Sequence, residues 1–276
     1  MTTDSKTFPK GDPQFCIIAP TAYLRTCATQ SSAHLVLAHI VDNDPWYASF
    51  YKEMSQRGDR IIMDNGAFEL GESYAPEKLI ELGKACGADA LVLPDYPWQK
   101  SDITVDAAVQ WIPRIKDAGF KTMFVPQSET DELDDWIDGY MWAADNKDID
   151  IIGMSILGIP NALPHVPAAY ARVVMTELLY DRGVFADKYH HYLGLNAGPA
   201  LELPTLIKTG ALDSCDSSGP VWAALLGHEY SKNTDSYLSV SKVKAHVEFD
   251  YPMTKDKATL DRIQHNINLT LDLFGG

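Results

Sequence analysis

Short apolar segments rich in β-forming residues recur eight times along this chain of 276 residues. They are residues 15–20, 34–41, 60–64, 90–95, 121–127, 150–155, 190–196 and 211–216. Between most of them lies a longer stretch with helical spacing of its apolar residues, as at 76–87, which ends in a helix-terminating Gly. Similar stretches are 102–119, 131–145, 167–182 and 200–210. This alternation predicts parallel strands joined by right-handed helical crossovers.

Eight such units in a chain of this size predict an α/β fold of the (β/α)₈ TIM-type barrel kind. A doubly wound open sheet is the alternative, but it normally has fewer strands and a Gly-rich phosphate loop, which the sequence lacks. We expect a single domain, with the barrel at about 15–228 and a C-terminal extension at about 229–276. Residues 219–227 are expected to form the eighth helix of the barrel. In the extension, the pattern predicts a strand or extended arm at 237–250 and an amphipathic helix at 254–274.

Composition narrows the classes of function. The formal net charge of −15 argues against strong non-specific binding of nucleic acid, which requires a positive surface. The sequence contains no run of eighteen apolar residues, so we expect no membrane span. The first ten residues do not resemble a signal peptide. The four cysteines are scattered without a Cys-x-x-Cys pair, so we expect a reduced, cytoplasmic protein without disulfides.

Five of the predicted strands end in a polar side chain. These are Asp64, Asp95, Gln127, Ser155 and Asp216. In a (β/α)₈ barrel the active site lies at the carboxyl ends of the strands. The sequence therefore predicts one site, assembled from several loops, in which these side chains converge.

The same runs resemble motifs of the tRNA-guanine transglycosylase superfamily, in order and at compatible spacing over roughly 60–276. The matching runs are 63–69 (Met-Asp-Asn-Gly-Ala-Phe-Glu), 93–95 (Leu-Pro-Asp), 125–127 (Val-Pro-Gln), 152–158 (Ile-Gly-Met-Ser-Ile-Leu-Gly), 191–196 (His-Tyr-Leu-Gly-Leu-Asn) and 211–220 (Ala-Leu-Asp-Ser-Cys-Asp-Ser-Ser-Gly-Pro). Residues 240–246 and 264–266 are also similar to the C-terminal region of the family. Each match is weak alone, and together they indicate the family.

The resemblance implies a pentosyltransferase that exchanges a nucleobase. Asp216 takes the position of the nucleophile, and Asp64 that of the general acid and base. Asp95 would accept hydrogen bonds from N1–H and the exocyclic amine of guanine, while Gln127 would donate to O6.

The remaining base-binding residues follow from the same motifs. Phe68 and Leu193 would sandwich the ring. Asn65, Gly153 and Met154 would lie against the base, although Met154 replaces a Gly of the family and changes the backbone contacts there.

One departure from the family concerns zinc. The tRNA enzymes bind it through a Cys-x-Cys-x-x-Cys cluster and a His beside an Asn. Here His265 and Asn266 are present, but no cysteine follows Cys215. Because a structural zinc site needs four ligands, we expect neither metal nor another cofactor.

A chain that is compact and lacks these cysteines looks most like the phage-type DNA-guanine transglycosylases. The expected partners are DNA and a free base such as 7-cyano-7-deazaguanine, with Lys232, Lys242 and Lys244 as a local basic strip for the nucleic acid. No membrane is implied, and a protein partner or a homodimer is left open. If a phage encodes the chain, the location implied is the host cytoplasm.

Three alternatives remain open from the sequence. They are a tRNA transglycosylase without zinc, a non-catalytic transglycosylase-like binding subunit, and an unrelated barrel lyase or aldolase. The presence of both Asp64 and Asp216 argues against the binding subunit. An aldolase would normally have a Lys at a strand exit, and this sequence has none there. Among the neighbouring residues, we expect Asp213 to support the site and the adjacent His190 and His191, on opposite faces of a strand, both to be structural.

Overall fold

The computed structural model of the protein describes residues 6–195, 199–231 and 247–275, apart from the side chains at 68, 69 and 199–201. Eight parallel strands form one sheet: β1 (Gln14–Ile17), β2 (Ala33–Val36), β3 (Arg60–Met63), β4 (Ala90–Val92), β5 (Lys121–Phe124), β6 (Ile151–Gly153), β7 (Tyr189–Tyr192) and β8 (Ser214–Ser217). Hydrogen-bonded neighbours follow the order β1-β8-β7-β6-β5-β4-β3-β2, and β1 also lies beside β2. The sheet is thus a nearly closed α/β barrel of the TIM type, as the sequence predicted.

Helices follow each strand in the described part of the chain. They are α1 (Leu24–Cys27), α2 (Ala38–Asn43), α3 (Pro45–Arg57), α4 (Ala67–Leu70), α5 (Pro76–Cys86), α6 (Ser101–Asp117), α7 (Leu133–Asp145), α8 (Gly158–Ala162), α9 (Ala168–Asp181), α10 (Pro199–Lys208), α11 (Gly219–Leu225) and α12 (Lys257–Leu271). Helix α3 illustrates the local cause: Asp44 caps its first turn by accepting from Trp46 N–H at 2.9 Å, and Pro45 occupies the first helical position. Among the described residues, no helix is long and apolar enough to cross a membrane.

Alternating side chains divide the core into two layers. Ile62, Val92 and Met123 face the barrel interior, whereas their neighbours Met63 and Leu91 pack between the strands and the helices. This two-residue alternation is the geometry of a strand. It directs every second side chain of a strand toward the barrel axis. At the carboxyl ends of the strands, these inward-facing side chains can meet a ligand.

The C-terminal helix, α12, packs against α11, the last helix of the barrel. Asn266 on α12 is fully buried; it donates to Pro220 O and His228 O, both at 3.1 Å, and accepts from Tyr230 N–H at 2.7 Å. His265 contacts the carbonyl of Tyr230 at 2.9 Å. This His-Asn pair therefore holds the loop after α11.

The limits of several predicted elements differ from those observed. Within the predicted strand segment 34–41, the strand ends at Val36 and residues 38–43 form α2, because an apolar run of this length does not by itself distinguish a strand from a buried helix. The predicted helix 254–274 begins at Lys257, where Asp256 supplies the cap by accepting from Thr259 N–H at 3.0 Å. Most of the predicted arm 237–250 lies outside the described residues.

Candidate active site

Asp64, Asp95 and Asp216 lie near one another at the carboxyl ends of the strands. The pKa of Asp64 is raised to about 6, mainly by burial and in addition by the negative charges of Asp95 and Asp216, while the backbone hydrogen bonds that Asp64 accepts act in the opposite direction. Burial also raises the pKa of Asp95. The three carboxyl groups therefore belong to one site, and Asp64 holds a proton more readily than an ordinary aspartic acid does.

A tight turn positions Asp64 directly after β3. Its backbone N–H donates to Val36 O at 2.9 Å, and its Oδ2 accepts from Gly66 N–H at 3.0 Å. Gly66 has φ +81°, and a side chain there would come within 3.1 Å of the ring of Tyr74. The Asp-Asn-Gly sequence is therefore suited to this turn, since Gly adopts the left-handed conformation without strain.

A chain of hydrogen bonds joins the next two predicted residues. Asn65 is fully buried, and its Nδ2 donates to Leu93 O and to Asp95 Oδ1, both at 2.8 Å. Gln127 Nε2 donates to Asp95 Oδ2 at 2.6 Å. Both carboxylate oxygens of Asp95 are thereby fixed in place by side chains from two other loops.

Gln127 carries a buried polar atom without a partner. Its Oε1 has no hydrogen-bond partner among the described residues. It lies beside Gly158, where a Cβ would approach it to 2.8 Å. One amide hydrogen of Gln127 is committed to Asp95, so at most one remains for the predicted bond to O6 of a base.

Asp216 lies in β8 and is only 5% exposed to solvent. Its Oδ1 contacts His191 Nε2 at 3.2 Å and accepts from Gly194 N–H at 2.9 Å. Gly194 has φ +69°, a left-handed conformation that favours glycine. Two donors from the β7 strand and the turn after it thus converge on one oxygen of the predicted nucleophile.

His191 is the residue that sequence reasoning missed. His190 and His191 do face opposite sides of β7, as expected. His190 packs against Tyr140 on the side of the helices, with its Nε2 at 2.9 Å from the Tyr140 hydroxyl. The expectation that His191 is only structural was incomplete, because it contacts Asp216. The signal was present, since His191 precedes the predicted site residue Leu193 by two and so shares its face of the strand.

The other predicted base-binding residues fall into two groups. Gly153 and Leu193 lie on the interior side, where a Cβ at Gly153 would come within 3.2 Å of Leu193. Met154 is fully buried between strands and helices, and its backbone N–H donates to His191 O at 2.8 Å. Neither the side chain of Met154 nor its N–H is thus directed at the three carboxylates.

Four further predicted residues are not among those that the structure describes in full. The side chain of Phe68 lies outside the described residues, as do Lys232, Lys242 and Lys244. The predicted contacts of these four residues stay predictions.

Two open surface cavities lie outside the group of carboxylates. One, of about 530 Å³, is lined by residues that include Arg25, Trp46 and Phe249. The other, of about 540 Å³, is near Gln14 at the amino-terminal end of the barrel. The candidate site is therefore defined by its chemistry and not by the size of a cavity.

Asp213, the other aspartate of the β8 segment, lies apart from this chemistry. It is fully buried, with Oδ2 accepting from His190 N–H at 2.8 Å and Oδ1 from Gly11 N–H at 3.4 Å. These bonds hold the start of β7 and the N-terminal segment. A supporting role for Asp213 agrees with this position.

No three His, Cys, Asp or Glu side chains in the described ranges are arranged to hold a metal ion. Cys215 is fully buried, and burial raises its pKa well above the ordinary value. The expected absence of a structural zinc stays a prediction, which elemental analysis of the purified protein can test.

The raised pKa of Asp64 predicts a pH-dependent effect of Asp64→Asn on stability. Between the ordinary pKa of about 3.9 and the folded-state pKa of about 6, the folded protein binds the extra proton, so its stability falls as pH rises through this window. Well above pH 6, Asp64 is ionised in both the folded and the unfolded state, and its burial then lowers the free energy of unfolding by a constant amount. An amide at this position avoids that loss. We expect Asp64→Asn to raise the free energy of unfolding at pH 8 by about 1 to 2 kcal/mol, allowing for partial exposure, and by less as pH falls toward 4.

Urea denaturation at several pH values measures this difference. Asp42→Asn is a control of opposite sign, since the hydrogen bond from Lys78 lowers the pKa of Asp42. A stability gain for Asp64→Asn that did not shrink toward pH 4 would contradict the assigned pKa.

Comparison with models of protein families and with curated protein sequences finds no match for this chain.

Proposed function

We propose that this protein is a base-exchange transglycosylase, which replaces guanine in DNA with a 7-deazaguanine derivative through a covalent bond between Asp216 and the sugar. The observation that carries the proposal is the pairing of two carboxyl groups in different environments. Asp64 has its pKa raised to about 6, whereas Asp216 is held by hydrogen bonds from Gly194 N–H and His191. Separate environments for two carboxyl groups are what acid and nucleophile roles require.

In the first half-reaction, a carboxylate oxygen of Asp216 attacks C1′ of the deoxyribose. The C1′–N9 bond breaks, and its electron pair leaves with guanine, which takes the proton of Asp64. A pKa of about 6 leaves roughly one Asp64 in ten protonated at pH 7, far more than an ordinary aspartic acid. Burial of Asp64 therefore favours the departure of the base.

In the second half-reaction, N9 of the incoming base attacks C1′ and loses its proton to the Asp64 carboxylate. The bond between C1′ and the Asp216 oxygen breaks, and its electron pair returns to Asp216. Two displacements at the same carbon retain its configuration, as base exchange requires. Both residues end in the state in which they began.

The hydrogen-bonded group of Asn65, Asp95 and Gln127 supports recognition of a guanine-like base. Asp95 keeps a second lone pair on each oxygen for the N1–H and amine of the base. Asn65 and Gln127 fix its orientation through bonds of 2.8 and 2.6 Å. An ionised carboxylate at this place would favour guanine and its 7-deaza relatives over adenine, which has no N1–H.

DNA is the proposed nucleic acid, and a target base would have to be flipped or unpaired to reach a pocket at the barrel end. We also propose a cytoplasmic location, and the basic strip of Lys232, Lys242 and Lys244 as the part of the protein that contacts DNA.

Each lysine that neutralises a phosphate contributes about one unit to the slope of log affinity against log salt. We expect the triple Lys→Gln variant to bind DNA with a flatter salt dependence and an unchanged affinity for the free base. Fluorescence titration at several salt concentrations measures the slope, and an unchanged slope would reject the docking strip alone.

The exchange reaction itself is tested with labelled guanine. The protein is incubated with the label and, in parallel, with double-stranded DNA, single-stranded DNA and tRNA. We expect label to enter DNA while the strands stay intact. Label in tRNA alone would reject the choice of substrate and leave the chemistry standing, and no label in any of them from folded protein would reject the proposed function.

A further inference from the structure

Three side chains from neighbouring strands form a continuous hydrogen-bonded group around the predicted nucleophile. His191 on β7 and Ser214 on β8 are paired in the register of the two strands, and Asp216 follows two residues later on the same face. Ser214 Oγ lies 2.6 Å from His191 Nδ1, and Asp216 Oδ1 lies 3.2 Å from His191 Nε2. His191 and Ser214 are both buried, so the imidazole is held at both nitrogens away from solvent.

The chemistry of the partners fixes which nitrogen carries a proton. An ionised Asp216 can only accept, so Nε2 of His191 must be the donor. In the neutral ring, Nδ1 is then the acceptor, and the hydroxyl of Ser214 supplies the proton for that bond. Ser214 therefore holds His191 in the tautomer that donates to Asp216.

A second donor converges on the same oxygen. Gly194 N–H donates to Asp216 Oδ1 at 2.9 Å. Because both donors meet Oδ1, attack on the sugar by Oδ2 would leave these hydrogen bonds intact. The arrangement resembles an oxyanion hole, except that the stabilised oxygen belongs to the protein's own carboxylate.

We propose that His191 is a positioning residue that stabilises the Asp216 carboxylate as it leaves the sugar, with Ser214 fixing its tautomer. This inference rests on the proposed function. When N9 of the incoming base bonds to C1′, the C1′–O bond breaks and a negative charge returns to Asp216, shared by Oδ1. The hydrogen bond from Nε2–H strengthens as that charge develops, so its loss slows the second half-reaction more than the first.

The test compares His191→Leu with His191→Gln. Leucine removes the donor, whereas the amide of glutamine can place an N–H near the position of Nε2. For His191→Leu we expect exchange to fall about 10²-fold, the usual effect of removing one such donor, with little change in KM for the free base. We also expect the covalent protein–DNA adduct to accumulate. His191→Gln should recover exchange to within about tenfold of the wild type.

Ser214→Ala provides the second variant, and we expect about a tenfold loss with the same accumulation of adduct. Thermal denaturation identifies any variant that fails to fold, and the smaller Ser214→Ala change then carries the comparison. Equal losses in the Leu and Gln variants without adduct accumulation, or wild-type exchange by His191→Leu, would overturn the role of His191. A wild-type protein that exchanges no base would instead reject the proposed function.

Discussion

The Asp216→Asn protein is expected to fold normally and to lose base exchange completely. The amide keeps an oxygen that can accept from Gly194 N–H and from His191 Nε2, which contact Asp216 at 2.9 and 3.2 Å. Local structure should therefore persist. An amide has almost no nucleophilicity toward C1′, so neither the covalent adduct nor labelled product should form.

Asp213→Asn is the matched control, three residues earlier in the same segment. The side chain of Asp213 accepts from backbone N–H groups of His190 and Gly11 and is turned away from the site. We expect this variant to exchange guanine at a rate within about threefold of the wild type, a difference below 1 kcal/mol. Near-normal exchange by Asp216→Asn, or complete loss in a folded Asp213→Asn protein, would remove Asp216 as the nucleophile.

The second large effect is expected at Arg172, which is buried together with its partner Glu202. Arg172 Nε donates to Glu202 Oε2 at 3.0 Å, and the guanidinium also donates to Leu193 O at 2.9 Å and Gly194 O at 2.7 Å. Arg172→Met leaves a buried carboxylate without its partner, which costs about 3 to 5 kcal/mol of unfolding free energy. It also releases the turn that supplies Gly194 N–H to Asp216, so we expect exchange to fall even where the variant is folded.

Two comparisons isolate the buried ion pair in urea denaturation. Arg114 and Glu77 form an exposed pair of 2.7 Å, and Arg114→Met should cost less than about 1 kcal/mol. The double variant Arg172→Met with Glu202→Met removes both charges and should recover part of the stability. An Arg172→Met protein as stable as the wild type would show that the pair is not needed.

Much of the fold could be predicted because its cause is local. The strands recur as short apolar segments between helical stretches, and helices such as Pro76–Cys86 carry their own start and stop residues, Pro76 and Gly87. The strand exits also indicated Asp64, Asp95, Gln127 and Asp216, since the barrel brings such positions to one end. The carboxylates of Asp64, Asp95 and Asp216 do interact in the structure.

What could not be predicted depends on contacts between distant segments. The face of β7 that carries His191 could be predicted from Leu193, but its partners could not. The register of β7 against β8 decides that His191 meets Ser214 and Asp216, and no local pattern fixes that register. The pairing of Arg172 with Glu202 likewise joins two helices. Met154 could have been assigned correctly, because it follows Gly153 in the same segment and adjacent residues of a strand face opposite sides.

The position of the covalent bond between the protein and the sugar identifies the nucleophile directly. Wild-type protein is mixed with a guanine-containing DNA strand without added free base, quenched by denaturation, digested and analysed by mass spectrometry of its peptides. We expect one adduct, in which the deoxyribose of the intact strand is attached to Asp216. An adduct at another residue, or exchange of labelled guanine without any adduct in the quenched protein, would contradict it.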